Sequence, residues 1–151
     1  MGKRFKVACL QLNSGQSVKK NLNQTLKFLK RAVKLNAKLI LTPEITNIVS
    51  LNRDHLLKET YSEKTDPCLN MAKEFAENNS VWIILGSIIV KDNNKRLFNR
   101  SYLINNKGII ISKYDKIHMF DAIISSKEVY QESSTFTAGK KIKIGQRHWG
   151  K

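Results

Sequence analysis

The fold is decided by residues 5–44, which read FKVACLQLNSGQSVKKNLNQTLKFLKRAVKLNAKLILTPE. Phe5–Leu12 is rich in apolar residues and predicts a strand. The segment after it places apolar residues at the helical period, at Leu22, Leu26, Leu29 and Val33. Ser17 suits the N-cap of this helix, and Asn36 suits its end because asparagine tolerates the left-handed conformation. Leu39–Thr42 predicts a second strand, so the whole segment predicts a parallel β-α-β unit.

Turn-forming and capping residues divide the rest of the chain into further elements. We expect some helix around Arg53–Glu59, a helix from Asp66-Pro67 to Asn78-Asn79, strands at Val81–Val90, Phe98–Ile104 and Ile109–Lys113, and a short strand at Ile142–Ile144. Between Tyr114 and Ile142 we expect mostly loop. No repeat or interdomain linker is visible, which predicts one α/β domain over residues 1–151. Helices cover one face of its sheet, and the other face has to pack against something else.

The composition excludes several classes of protein. Apolar residues make up 41% and charged residues 26% of the chain, which argues against disordered and fibrous proteins. The 27 Lys and Arg residues exceed the 12 Asp and Glu residues and give a formal net charge of +15. The excess is spread along the chain, so we favour a solvated basic surface over dedicated nucleic-acid binding. We therefore expect no specific nucleic-acid partner.

The expected location is the cytoplasm. No apolar run is long enough to cross a bilayer, and the start of the chain lacks the apolar core of a signal peptide, so we expect no membrane partner. Two cysteines, Cys9 and Cys68, form no disulfide framework, and we expect both to be buried structural residues. The histidines His55, His118 and His148 are too scattered to suggest a metal site.

Three charged residues stand where chemistry could occur, although each also has an ordinary explanation. Glu44 follows an apolar strand, and ligands of open α/β sheets bind beyond the carboxyl ends of parallel strands; it could equally be a solvent-exposed carboxylate. Lys116 follows a predicted strand, where a surface lysine is the default. Glu132 lies in a predicted loop, with Glu128 as a nearby competitor. From the residues alone, these alternatives stay open.

Taken together, six segments resemble the carbon–nitrogen hydrolase (nitrilase) superfamily, and in particular its bacterial amidase members related to ω-amidase and deaminated-glutathione amidase. The segments, in order, are Val7–Asn13, Leu39–Glu44, Asn99–Ile104, Tyr114–Asp121, Tyr130–Ser133 and Phe136–Gly139. The resemblance covers essentially the whole chain. It implies the N-terminal part of an α-β-β-α sandwich, and thus an incomplete α/β fold.

The resemblance also implies a mechanism and roles for the three residues. Glu44 matches the general base that takes the proton from a nucleophilic cysteine, and Lys116 matches the cation that stabilises the oxyanion. Glu132 matches the second glutamate, which helps to hold the site in register. The thiolate attacks the carbon of a small linear amide, ammonia leaves, and water hydrolyses the thioester. The family needs no metal and no organic cofactor.

One departure concerns the nucleophile itself. In the family, the cysteine lies in an Ile-Cys-Tyr-Asp motif shortly after a Trp-Gly-Lys/Arg segment, whereas this chain ends at His148–Lys151. We therefore expect a chain truncated before the cysteine, inactive alone, with exposed edge strands and an apolar patch. It could be a split or decayed gene product that pairs with a complementary fragment or with itself. The alternative is a non-catalytic basic binding protein with incidental affinity for nucleic acid.

Overall fold

The structure, a computed structural model, describes residues 5–125 and 128–145. It is a mixed α/β fold. Its strands are β1 (Val7–Cys9), β2 (Leu39–Leu41), β3 (Trp82–Lys91), β4 (Leu97–Ile104), β5 (Ile110–Asp115), β6 (Asp121–Ser125) and β7 (Glu128–Gln131), and its helices are α1 (Val18–Lys34), α2 (Arg53–Glu59) and α3 (Pro67–Asn79). A single 3-10 turn, Glu132–Ser134, follows β7.

Five of the strands form one sheet in the order β1-β2-β3-β4-β5. The first two pairings are parallel and the last two are antiparallel. This confirms the predicted β-α-β start and the strands predicted at Val81–Val90, Phe98–Ile104 and Ile109–Lys113. In the described residues, β1 and β5 are the outer strands of this sheet.

Two predictions for the last third of the chain are wrong. The expected loop between Tyr114 and Ile142 contains the antiparallel hairpin β6–β7, which forms a separate two-stranded sheet. The expected strand Ile142–Ile144 is absent, and Ile142 and Ile144 are 83% and 85% exposed. Strands need partners as well as β-branched residues, and no neighbouring segment pairs with 142–144 in the described structure.

Local capping explains where the two long helices begin and end. The Ser17 side chain accepts a hydrogen bond from the backbone of Lys20 at the start of α1. Asp66 caps α3 in the same way, with Pro67 at the first turn. After the helices, Asn36 and Ser80 adopt left-handed conformations, with φ of 62° and 51°. The predicted N-caps and the stop at Asn36 are confirmed.

The main core lies between the sheet and helices α1 and α3. Its buried members include Leu29 from α1, Leu69 from α3, and Ile40, Ile83 and Tyr102 from the sheet. Because side chains alternate along a strand, the neighbouring residues point to the opposite face. There Val7 and Cys9 are exposed, and Ile84 is only partly buried. The second face of the sheet is therefore largely uncovered by the described residues.

A smaller apolar cluster supports the segment that follows β2. It joins Ile48 of that segment to Leu56 of α2, Ile89 of β3 and Leu97 of β4. This cluster fixes the loop at the carboxyl ends of β2 and β3. No helix in the described part of the chain is long and apolar enough to cross a membrane.

Candidate active site

Three charged side chains from separate parts of the chain meet at one end of the sheet. Glu44 lies in the loop after β2, Lys116 directly after β5, and Glu132 at the start of the 3-10 turn. The Nζ atom of Lys116 lies 2.8 Å from Oε1 of Glu44 and 2.8 Å from Oε2 of Glu132. We call these three residues the charged cluster. The structure thus brings together all three site residues that the sequence singles out.

Asn99 is a fourth member of this region. It is buried on β4, and its Nδ2 atom donates a hydrogen bond of 2.7 Å to Oε1 of Glu44. Its backbone carbonyl accepts a hydrogen bond of 2.9 Å from the backbone N–H of Lys116. The sequence alone assigns no role to Asn99. The available signal is the alternation of β4, which places Asn99 on the buried face together with Leu97, since a buried polar side chain needs a partner.

Glu132 is held in place by the β6–β7 hairpin, which the sequence does not predict. Oε2 of Glu132 accepts a hydrogen bond of 2.8 Å from the backbone N–H of Phe120, just before β6. The backbone N–H of Glu132 donates back to the carbonyl of Phe120. The rings of Phe120 and Tyr130 meet edge to face with centroids 5.8 Å apart. These contacts across the two ends of the hairpin fix Glu132 beside Lys116.

The backbone of Lys116 is fixed from two sides. Asn99 accepts from its N–H, and the backbone N–H of Gly139 donates to its carbonyl at 2.8 Å. Gly139 packs against the backbone of Asp115 so closely that a Cβ atom would overlap the Asp115 carbonyl. The Asp115 carboxylate is in turn bound by Arg100 of β4. The position of the ammonium group is therefore set by β4, β5 and the segment after the 3-10 turn.

The surroundings of Glu44 and Lys116 favour the ionised form of each. Partial burial works to raise the pKa of Glu44, but hydrogen bonds from Lys116 and Asn99 and the charge of Lys116 outweigh it and hold that pKa below its usual range. Burial works to lower the pKa of Lys116, and its bonds to Glu132 and Glu44 raise it above its usual range. At neutral pH the ammonium and the Glu44 carboxylate are both charged.

Neither cysteine belongs to the charged cluster. Cys68 lies on α3 and is buried in the core, and burial together with the nearby Asp66 charge raises the pKa of its thiol. Cys9 is exposed, so the prediction that both cysteines are buried is wrong for Cys9. The reason is that β1 turns Cys9 to the uncovered face of the sheet. The expected segment His148–Lys151 and the side chain of Glu128 lie outside the described residues.

A cleft of about 510 Å³ opens beside Glu132. Its lining includes Ser50 and Leu51 from the loop after β2, and Tyr130 and Phe136 from the segment around the 3-10 turn. The cleft combines a carboxylate with apolar and hydroxyl groups and has room for a small molecule. Among residues 5–125 and 128–145, no group of three or more His, Cys, Asp or Glu side chains is arranged to hold a metal ion.

Comparison with protein families gives one match along nearly the whole chain. Residues 6–150 match the carbon–nitrogen hydrolase family. Nitrilase homolog 2 of Dictyostelium discoideum is 32% identical over 144 residues, which cover 94% of this chain and 43% of that protein. The deaminated glutathione amidase of Yersinia enterocolitica is 29% identical over 99% of this chain and 52% of that protein. The chloroplastic omega-amidase of Arabidopsis thaliana is 32% identical over 91% of this chain and 38% of that protein.

Solved structures agree on the fold. The NitFhit protein of C. elegans superposes with a TM-score of 0.78 and 25% identity, covering 89% of this chain and 33% of that one. An amidase from Nesterenkonia sp. AN1, whose active-site cysteine carries added acrylamide, gives a TM-score of 0.74 at 16% identity, over 91% of this chain and 51% of that one. The chain thus spans about half, or less, of the length of these relatives.

Proposed function

Because the chain belongs to the carbon–nitrogen hydrolase family, we propose that it carries the charged part of an amide-hydrolysing site. The observation that carries this proposal is the position of the Lys116 ammonium, 2.8 Å from both the Glu44 and the Glu132 carboxylates. The three residues come from loops that are far apart in sequence. An isolated surface ion pair contributes little, whereas a cluster of charged groups with shifted pKa values beside a cleft marks a candidate functional site.

Glu44 acts as the general base in this proposal. Its carboxylate is ionised at neutral pH because Lys116 and Asn99 stabilise the charge. It is also the most exposed of the three charged groups, so a reacting thiol can reach it. A carboxylate that is charged, oriented and accessible can take a proton from a nucleophile.

Lys116 acts as the oxyanion-stabilising cation. An ammonium group has three N–H donors, and two point to Glu44 and Glu132 among the described residues. The third donor is available to the oxygen of a reacting amide. Glu132 holds the ammonium in position, since its own carboxylate is fixed by the backbone of Phe120. A charge that is already oriented stabilises a tetrahedral oxyanion without further reorganisation.

The reaction would run through a thioester. Glu44 takes the thiol proton, the thiolate adds to the amide carbon, and the resulting oxyanion lies beside Lys116. The proton passes to the departing nitrogen, ammonia leaves, and the acyl group stays on sulfur. Water then attacks the thioester while Glu44 takes its proton, which releases a carboxylic acid and restores the thiol.

The nucleophile in this proposal comes from polypeptide outside the present sequence. Cys68 is buried with a raised pKa, and Cys9 lies on the uncovered face of the sheet, so neither suits the role. The amidase from Nesterenkonia sp. AN1 has an active-site cysteine, and this chain covers 51% of that one. We therefore propose that the 151 residues alone are inactive and that a complementary segment supplies the thiol.

Small linear amides are the proposed substrates. Two of the similar proteins are an omega-amidase and a deaminated glutathione amidase. The cleft of about 510 Å³ is lined by Glu132 but not by Glu44 or Lys116, and it offers room for a short acyl chain beside that one member of the charged cluster. Which acyl group fits depends in part on surfaces that the complementary segment would add.

A joined polypeptide tests the proposal. Residues 1–151 are fused to the C-terminal part of the Yersinia enterocolitica deaminated glutathione amidase, and ammonia release from a short linear amide is measured. We expect activity in the fusion, lowered about 100-fold or more by Glu44→Gln and by Lys116→Met. Glu132→Gln should lower it by a smaller factor.

A matched control is Lys113→Met. Lys113 lies on β5 with its Nζ atom 3.0 Å from Glu63 and its side chain 52% exposed, so its loss should keep activity within a few-fold. Glu63 itself is unsuitable as a control, since it also binds Arg100, which holds Asp115 next to Lys116. A folded fusion whose activity survives Lys116→Met as well as it survives Lys113→Met would refute the proposed role of the charged cluster.

A further inference from the structure

The loop that presents Glu44 contains a strained residue. Ile45, directly after Glu44, has a φ of 51°. This left-handed conformation is rare and unfavourable for a β-branched side chain, so it persists only where the surroundings hold it. The direction of the Glu44 side chain depends on this turn. Contacts that keep Ile45 in the left-handed conformation therefore also orient Glu44.

One buried residue, Ser87 of β3, forms hydrogen bonds to the backbone of the loop on both sides of Glu44. Its Oγ atom accepts a hydrogen bond of 2.8 Å from the backbone N–H of Ile45. Its backbone N–H donates to the carbonyl of Pro43 at 3.3 Å, and its carbonyl accepts from the N–H of Thr46 at 2.8 Å. Ser87 is only 2% exposed. None of these contacts involves the Glu44 carboxylate itself.

A bulge in β3 gives Ser87 this position. The pairing of β3 with β4 shifts register between Leu85 and Ile88, and bulges of this kind re-aim side chains near functional sites. Gly86 lies in the bulge, where a Cβ atom would overlap the carbonyl oxygens of Thr42 and Pro43. The absence of that Cβ lets the loop lie directly against β3, within reach of the Ser87 hydroxyl.

We propose that Ser87 is a positioning residue for Glu44: its hydroxyl stabilises the left-handed Ile45 and so keeps the Glu44 carboxylate on Lys116. The catalytic meaning of this role rests on the proposed function. The positioning itself concerns only residues of this chain and does not require activity.

A purely structural serine would behave differently. If Ser87 only satisfied a backbone N–H, its loss would lower stability without changing the surroundings of Glu44. If it positions Glu44, its loss lets the carboxylate move away from Lys116 and Asn99. Lys116 and Asn99 face Glu44, and their hydrogen bonds lower the pKa of its carboxyl group. If these hydrogen bonds are lost, the pKa of Glu44 rises. The titration of Glu44 therefore separates the two roles.

The experiment is a carbon-detected NMR titration of the Glu44 side-chain carboxyl in the full 151-residue chain, with the resonance assigned by Glu44→Gln. In the unsubstituted chain we expect a pKa below the usual range. In Ser87→Ala the midpoint should move up towards that range. Ser87→Cys keeps the approximate size of the side chain but offers a weaker acceptor, so it should raise the Glu44 midpoint by a smaller amount. This variant provides the measurement if Ser87→Ala does not fold.

The matched control is Thr25→Val. Thr25 is also fully buried, but its hydroxyl donates to the backbone carbonyl of Asn21 within α1. The Asn21 side chain contacts the loop at the Asn47 carbonyl, beyond the segment Pro43–Thr46 that Ser87 binds. This variant should lose stability and leave the Glu44 midpoint unchanged. A folded Ser87→Ala or Ser87→Cys chain with an unchanged, low Glu44 pKa would overturn the positioning role alone. A Glu44 that titrates at its ordinary value in the unsubstituted chain would overturn the charged cluster and the proposed function with it.

Discussion

At the scale of single residues, Lys116 links two carboxylates from distant loops. Its side chain is 23% exposed, and both of its partners accept hydrogen bonds of 2.8 Å. Removing the cation would leave two carboxylates near each other without a counter-charge. Lys113, which lies on β5 shortly before Lys116, pairs with Glu63 but is 52% exposed. The two lysines therefore allow a direct comparison of a shared cation with a surface ion pair.

Lys116→Met should lower the free energy of unfolding at neutral pH by about 1–3 kcal/mol, since charged hydrogen bonds are lost and the carboxylates repel each other. Lys113→Met should cost less than about 1 kcal/mol, as is usual for an exposed pair. Urea unfolding of both variants measures the difference. Equal losses in the two variants would show that Lys116 is an ordinary surface lysine.

The sequence predicts the members of the cluster but not all of its contacts. Glu44, Lys116 and Glu132 can be found through the family resemblance, because each stands in a recognisable segment. Asn99 stands in such a segment too, yet nothing local shows that its amide points to Glu44. Ser87 and Ile45 are harder still, since a hydrogen bond between residues 42 positions apart depends on how β2 and β3 pack.

At the scale of helices and strands, Asp66 combines a capping role with an unusual titration. It caps α3, is fully buried, and accepts a hydrogen bond from Asn47. Burial raises its pKa to about 6, although hydrogen bonds from Leu69, Cys68 and Asn47 work against the shift. A carboxyl group whose pKa is higher in the folded than in the unfolded state stabilises the fold when protonated. That contribution is complete below about pH 4 and is lost as the pH rises through about 6.

Asp66→Ser keeps a capping oxygen but removes the titration. Relative to this variant, the unsubstituted chain should lose stability between about pH 4 and pH 7, by up to about 3 kcal/mol. Chemical denaturation at several pH values measures the difference, and Asn52→Ser at the N-cap of α2 is the control with no expected slope. A difference that stays constant, or that favours the unsubstituted chain as the pH rises, would contradict the raised pKa.

The bulge of β3 makes a second prediction at this scale. Gly86→Ala should cost about 1–3 kcal/mol or more, because the new methyl group overlaps the carbonyls of Thr42 and Pro43. Gly15→Ala is the matched control, since nothing lies within 4 Å of a Cβ atom there, and it should change stability by less than about 0.5 kcal/mol. Thermal or urea unfolding of the two variants provides the test. Equal losses of stability in Gly86→Ala and Gly15→Ala would contradict the close packing of the loop on β3.

Element boundaries were predictable where local signals are strong. Caps at Ser17 and Asp66 and the apolar periods of α1 and α3 are read directly from the chain. The sequence does not predict the hairpin β6–β7, because its strands are short and largely exposed. Apolar and polar residues therefore do not alternate along them. The prediction of a strand at Ile142–Ile144 is wrong because composition alone does not make a strand. The segment has β-branched residues but no pairing partner in the described structure.

At the scale of the whole molecule, the sheet has one covered and one open face. Helices α1 and α3 bury one side, while Val7 and Cys9 on the outer strand β1 are exposed on the other. Open edges and apolar faces favour association with other chains. The sequence predicts this imbalance, because the helices it contains can cover only one face. It does not specify what covers the second face.

A charge on the open edge should therefore reduce self-association. Val7 and Val49 are both 43% exposed, but only Val7 lies on β1. Val7→Lys should shift the onset of association to a several-fold higher concentration, since lysine on an edge strand opposes strand pairing. Val49→Lys should have little effect. Light scattering across a concentration series measures both, and an equal response of the two variants would argue against association through β1.

The central claim is that the charged cluster serves a thiol supplied by another polypeptide segment. Ammonia release from a short linear amide tests it most directly, measured for the 151-residue chain alone and for the chain fused to the C-terminal part of a related amidase. We predict no release above the blank by the chain alone, and release by the fusion that depends on Glu44 and Lys116. Release by the 151 residues alone would contradict the account.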